Sequence, residues 1–113
     1  MNDCLFCKII AGEIPSTKVY EDDFVYAFLD IEPQAPFHAV VVPKVHITSA
    51  AEINLDNSMY VAKIYEAIAK IAKLEKLDGG FRVVTNCGKD GGQTVGHLHF
   101  HLLARRYLQW PPG

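Results

Sequence analysis

The hydrophobic positions of this chain fall in short alternating runs and, once, on a helical stripe. Lys18-Val19-Tyr20, Phe24-Val25-Tyr26-Ala27-Phe28-Leu29, His38-Ala39-Val40-Val41-Val42-Pro43 and Phe81-Arg82-Val83-Val84-Thr85 are β-rich and predict four strands. A fifth is predicted in His97-Leu98-His99-Phe100-His101-Leu102-Leu103, where imidazole and apolar side chains alternate and so take opposite faces. Val61, Ile64, Tyr65, Ile68, Ile71, Ala72 and Leu74 recur at helical spacing, with Lys63, Glu66, Lys70 and Lys73 opposite them. This predicts one amphipathic helix of about five turns, started near Asp56-Asn57-Ser58 and ended by Asp78-Gly79-Gly80. Residues 48–53 predict a short helix, and Asp30-Ile31-Glu32-Pro33-Gln34-Ala35-Pro36 a loop. Strands not regularly interleaved with helices point to an α+β fold on an antiparallel sheet.

Composition narrows the class. A length of 113 residues suits a single domain over 1–113. A net charge of −2 gives no electrostatic case for nucleic-acid binding. No apolar run approaches a membrane span, and Met1-Asn2-Asp3-Cys4-Leu5-Phe6-Cys7-Lys8 lacks the pattern of a signal peptide. Three cysteines, an odd number, argue against a disulfide framework and for a reducing cytoplasm.

Three of the five histidines stand at spacing two in the last strand. Such a face is given up for packing and suits chemistry near neutral pH. The first and third imidazoles attach about 13 Å apart on a regular strand, so they cannot easily share one ion. The triad therefore splits its roles. The preceding loop, Asn86-Cys87-Gly88-Lys89-Asp90-Gly91-Gly92-Gln93-Thr94-Val95-Gly96, is glycine-rich and offers backbone N–H groups that can cradle an anion. A phosphate held there would lie against the imidazoles, which suggests phosphoryl chemistry with a histidine nucleophile. A flexible hairpin connection is the plainer alternative.

The run from His97 to Leu103 resembles the signature of the histidine-triad (HIT) family. Glu13-Ile14-Pro15, Asp30 to Pro36, Pro43-Lys44-Val45-His46, Asp90 to Val95 and Trp110-Pro111-Pro112-Gly113 resemble its Hint branch. The resemblance implies a five-stranded antiparallel sheet with one long helix and a short one, extended across a homodimer. It implies a hydrolase of purine nucleoside phosphoramidates, such as adenosine monophosphate joined to an amine or to lysine. His99 would attack the α-phosphorus to give a covalent nucleotidyl-histidine. His101 would be its phosphate-side helper. Gly92, Gln93 and Thr94 would hold phosphate oxygens or the leaving group, and Asn86 would lie near phosphate and ribose. Asp30 would bind the ribose hydroxyls, and Ile31, with Phe28 and Ile14, would wall the base. His38 would lie near the site or be structural. Trp110 would reach the partner subunit's site. No cofactor is required for this chemistry.

Cys4-Leu5-Phe6-Cys7 is poorly placed for a thioredoxin-like motif. In bacterial relatives of this kind the resemblance implies a structural zinc held by Cys4, Cys7, His46 and His97. Cys87 has no assigned role. Two other functions remain open: a dinucleoside polyphosphate hydrolase, and a nucleotide-binding regulatory module.

Overall fold

The computed structural model describes residues 3–113. In chain order the elements are α1 (Leu5–Ile10), β1 (Lys18–Glu21), β2 (Val25–Leu29), β3 (Phe37–Pro43), a 3-10 turn (Ala50–Glu52), α2 (Met59–Leu74), β4 (Phe81–Val84) and β5 (Phe100–Ala104). The strands form one sheet in the order β1-β2-β3-β5-β4, with every neighbouring pair antiparallel. The α+β expectation holds.

Strand alternation sorts side chains into two layers. Val25, Ala27, Ala39, Val41, Phe100 and Leu102 face α2, where Ile64, Ile68 and Ile71 close the larger core. Tyr26, Phe28, Val40 and Val42 face the other way and pack with Phe6 and Ile9 of α1. The central strand β3 is buried along its whole length, which its unbroken apolar run after His38 anticipates. The second layer is the one that carries the histidines.

Three expectations change. The helix α1 was not legible, because six residues are too few to show a 3.6-residue period. Its N-cap is the sulfur of Cys4, which accepts from the Cys7 N–H at 3.3 Å. The helix α2 ends at Leu74, before the Asp78-Gly79-Gly80 signal. Lys76 takes a φ of 56°, and the N–H of buried Leu77 reaches back to the Ala72 carbonyl at 2.9 Å. Finally, β5 begins at Phe100, so His97 and His99 precede the regular strand. The β3–β5 ladder ends at Val41 opposite Phe100. Beyond it Pro43 has no N–H to offer, and the Leu98 N–H goes instead to the Ile47 carbonyl at 2.6 Å.

Candidate functional site

His99 is buried, and its Nδ1 lies 2.7 Å from the carbonyl oxygen of His97. A carbonyl only accepts, so Nδ1 carries the proton and Nε2 keeps its lone pair. The Phe6 ring stands edge-on to the imidazole, 4.9 Å between centroids. A nitrogen with a lone pair, held in one tautomer against an apolar wall, is equipped as a nucleophile.

The orientation of His101 follows from a backbone amide. The Gln34 N–H donates to Nδ1 of His38 at 3.0 Å. A neutral His38 must then carry its proton on Nε2, 2.9 Å from Nδ1 of His101. Two N–H groups cannot face each other at that separation, so His101 accepts at Nδ1 and bears its proton on Nε2. Both rings are neutral at pH 7. Burial lowers the pKa of His38 despite the nearby Asp30 carboxylate. Burial pushes His101 down to about 4, with further lowering from His99 and His38. Antiparallel register builds this pair: Val40 of β3 lies opposite His101 of β5, and His38 is two residues along the same face.

These imidazoles open on a cavity of about 770 Å³, a size that accommodates a nucleotide-sized ligand. Leu5, Phe6 and Ile9 of α1 form one wall, and Ile14, Phe28 and Val40 continue it. Asp30, Ile31, Thr94, His99 and His101 also line it. Asp30 Oδ1 accepts from the Glu32 N–H at 2.8 Å, and Oδ2 lies 3.4 Å from His38 Nε2. Ile31 is 95 % exposed, so it forms a rim and not a closed wall.

Not every expected residue lines the cavity. Asn86, Gly92 and Gln93 lie outside it. The Gln93 amide braces the loop: Oε1 accepts from the Gly88 N–H at 3.0 Å, and Nε2 donates to the carbonyls of Thr48 and Val95 at 2.8 and 2.9 Å. Trp110 is 79 % exposed and does not pack on the chain's own sheet. The tail before it is held by Arg82, which donates to the carbonyls of Leu108 and Gln109 at 3.0 Å each. Cys87 donates its thiol to Ser49 Oγ at 3.4 Å. Sequence reasoning missed Gln34 and the three α1 residues, and left His38 undecided. Only the strand register pairs His38 with His101.

Cys4, Cys7, His46 and His97 converge at the start of α1, their ligand atoms all within 4.8 Å of one another. The Cys4 Sγ–His97 Nδ1, Cys7 Sγ–His46 Nδ1 and Cys7 Sγ–His97 Nδ1 distances are 3.2, 3.4 and 3.5 Å. Tetrahedral ligands at zinc bond lengths stand about 3.3 to 3.8 Å apart, so the set fits such an ion. His97 donates from Nε2 to the Pro43 carbonyl at 3.1 Å, which leaves Nδ1 as the ligating atom. Asp30, His38 and His101 are also close enough to hold a metal. There, however, neutral His38 has no lone pair to give: Gln34 occupies Nδ1 and the proton occupies Nε2. This second cluster is a hydrogen-bonded chain. The two outer members of the triad thus serve separate clusters.

A five-stranded antiparallel sheet that sets a buried triad histidine beside a nucleotide-sized cavity defines a histidine-triad protein. The chain belongs to the HIT domain family, whose description matches residues 11–108. It is 47 % identical over 119 residues to the 14 kDa zinc-binding protein of Brassica juncea, covering 98 % of this chain and 100 % of that one. It is 45 % identical over 117 residues to adenylylsulfatase HINT1 of Arabidopsis thaliana, covering 96 % of this chain and 76 % of the relative. A HIT family hydrolase from Legionella pneumophila has the same fold, with a TM-score of 0.95, 48 % identity, and 98 % and 100 % of the two chains covered. These likenesses support the Hint-like branch.

Proposed function

We propose that the chain is a nucleotide-binding hydrolase that cleaves purine nucleoside phosphoramidates through a nucleotidyl-His99 intermediate. The observation that carries this reading is the His99 Nδ1–His97 carbonyl bond at 2.7 Å, which leaves Nε2 as the attacking nitrogen at the cavity. Nε2 attacks the α-phosphorus. The P–N bond to the amine breaks and its electron pair leaves with the amine nitrogen, which accepts a hydrogen bond from His101 Nε2–H and takes a proton from solvent, the proton that the attacking water later gives back. Water then attacks phosphorus, the electron pair returns to His99, and the mononucleotide departs. Asp30 accepts from the ribose hydroxyls, and the apolar wall of α1 covers the base. Thr94 and the loop N–H groups face the phosphate. Gly92, at a φ of 78°, and the Gln93 side chain hold that loop in shape beside the phosphate, and Asn86 lies near phosphate and ribose.

Cys4, Cys7, His46 and His97 would hold a zinc ion that supplies a structural cross-link between α1 and the segment before β5. The reaction needs no cofactor. The working form is a homodimer in the cytoplasm, joined at the edge strand β4, with Trp110 near the partner's site. The exposed Tyr65 and Phe81 support this. No helix of the described residues is long and apolar enough to cross a membrane.

The test is turnover of an adenosine phosphoramidate beside a diadenosine polyphosphate, for wild type and His99→Ala. Phosphoramidate hydrolysis that vanishes in His99→Ala with mononucleotide binding retained is the expected result. Preference for the polyphosphate would assign the neighbouring branch. Binding with no turnover of either substrate would assign a regulatory module.

A further inference from the structure

The His38 tautomer depends on where the Gln34 N–H points, and Gln34 sits in an exposed loop between Pro33 and Pro36. The neck of that loop is closed by the Asp30 N–H on the His38 carbonyl at 2.9 Å. Its near side is held by the Glu32 N–H on Asp30 Oδ1. Its far side is held from outside, by the tail. Arg106 directs two donors at one acceptor: Nε and Nη2 lie 3.2 and 2.9 Å from the Gln34 carbonyl oxygen. Its Nη1 donates to the Tyr107 carbonyl at 3.0 Å, so all three guanidinium nitrogens are engaged. Only the φ and ψ of Gln34 separate its N–H from its carbonyl, so pinning the carbonyl narrows the directions in which the N–H can point.

We propose that Arg106 is a positioning residue for the His38–His101 pair, acting through the backbone of Gln34. The chain runs Arg106 to the Gln34 carbonyl, the Gln34 N–H to His38 Nδ1, His38 Nε2–H to His101 Nδ1, and His101 Nε2–H to the leaving atom. The last link rests on the proposed function; the others do not. Without Arg106 the Gln34 N–H loses its aim. His38 can then place its proton on either nitrogen, and the proton of His101 is no longer confined to Nε2. The C-terminal tail thereby orders the protons of His38 and His101.

The experiment compares imidazole nitrogen chemical shifts of wild type, Arg106→Ala and Arg106→Lys in the full-length protein. Wild-type His38 and His101 should each show a protonated Nε2 and an unprotonated Nδ1. Arg106→Ala should move both rings toward averaged shifts while His99 stays unchanged, and Arg106→Lys, which still donates to a carbonyl, should restore much of the wild-type pattern. Unchanged His38 and His101 shifts in Arg106→Ala overturn the proposal, whatever the variant does to melting temperature.

Kinetics separates the proposal from the functional reading. On an adenosine phosphoramidate with an alkyl amine, Arg106→Ala should lose about tenfold in kcat. On the 4-nitrophenyl ester of adenosine monophosphate, whose leaving group needs no proton, it should lose less than about twofold. His101→Ala is the reference. If His101→Ala slows both substrates equally, the leaving-group role of His101 is wrong, and the nitrogen shifts alone decide Arg106. If His101→Ala discriminates between the substrates and Arg106→Ala does not, the positioning role fails by itself.

Discussion

The carbonyl oxygen of His97 sits 2.7 Å from Nδ1 of His99, so one triad histidine sets the tautomer of the next through its backbone. The same His97 offers its side chain to the Cys4–Cys7 cluster. The Cys/His cluster and the proposed nucleophile are therefore adjacent along three residues of chain. A covalent intermediate should carry its phosphorus on Nε2 of His99. Alkaline quench during turnover, followed by phosphorus–nitrogen NMR of the adduct, checks this. An adduct on Nδ1, or on another residue, would remove the assignment.

The Asp30 carboxylate should govern ribose recognition. It lines the cavity with one oxygen committed to the Glu32 N–H and the other facing His38 at 3.4 Å. A hydrogen bond to a charged acceptor contributes about 1.5 to 3 kcal/mol. Asp30→Asn should therefore raise KM about tenfold or more, with a smaller change in kcat. Wild type should discriminate against a 2′-deoxy substrate, and the variant should not. Equal discrimination in both would place the ribose elsewhere.

Much of this site was legible before any coordinates, and the exceptions share a cause. Alternation of His97, His99 and His101 with Leu98, Phe100 and Leu102 gave the two faces; His97 and His99 precede the regular strand, yet His97 and His101 still join separate clusters. Side-chain period does not report ladder partners, however. The β5 ladder stops at Phe100 because Pro43 ends its partner, and that is a property of register. His38 was undecidable for the same reason, since its partner is 63 residues away. The contacts of Gln93 were hidden in another way. Its side-chain amide is spent on two backbone groups of its own loop, at Gly88 and Val95, and on the carbonyl of Thr48, 45 residues away, which no local pattern reports.

Acid should destabilise the fold through His101. An unfolded histidine titrates at 6.5, whereas burial holds folded His101 near about 4. Between those values the unfolded chain binds more protons, so stability is intact above pH 6.5 and declines as pH falls toward 4. Solvent still screens the half-buried His101, so the loss is smaller than the full gap between folded and unfolded values would give. His38, also lowered by burial, acts in the same direction. Urea titrations at pH 7 and pH 4.5 should show a larger loss for wild type than for His101→Gln. Equal losses would mean that His101 is not held neutral by the fold.

Metal removal should weaken nucleotide binding as well as stability. Cys4 caps α1 and Cys7 lies within it, and the same helix presents Leu5, Phe6 and Ile9 to the cavity. A ligand at about a hundred times its dissociation constant adds about 2.7 kcal/mol to the folded state. Chelation should lower the melting temperature and raise the dissociation constant for adenosine monophosphate, and zinc should restore both. Elemental analysis should find one zinc per chain in wild type and a loss in Cys4→Ser. Chelation that leaves both properties unchanged would detach α1 from any metal.

The loop before the triad should tolerate alanine at Gly96 but not at Gly91. A methyl group built on Gly91 would overlap the carbonyl oxygen of Cys87 and lie 2.9 Å from its nitrogen, both backbone atoms that cannot swing away. One built on Gly96 would meet nothing within 4 Å. Gly91→Ala must therefore move the strand of loop that Gln93 braces, and with it Thr94 at the cavity. The expected cost is about 1 to 3 kcal/mol, with a fall in kcat that exceeds the rise in KM, because the phosphate is misplaced against His99 while base and ribose contacts remain. Gly96→Ala should stay within about 0.5 kcal/mol of wild type. Thermal melts and steady-state kinetics of the two variants, run side by side, decide it. Equal behaviour would mean that the close approach at Cys87 does not shape the loop.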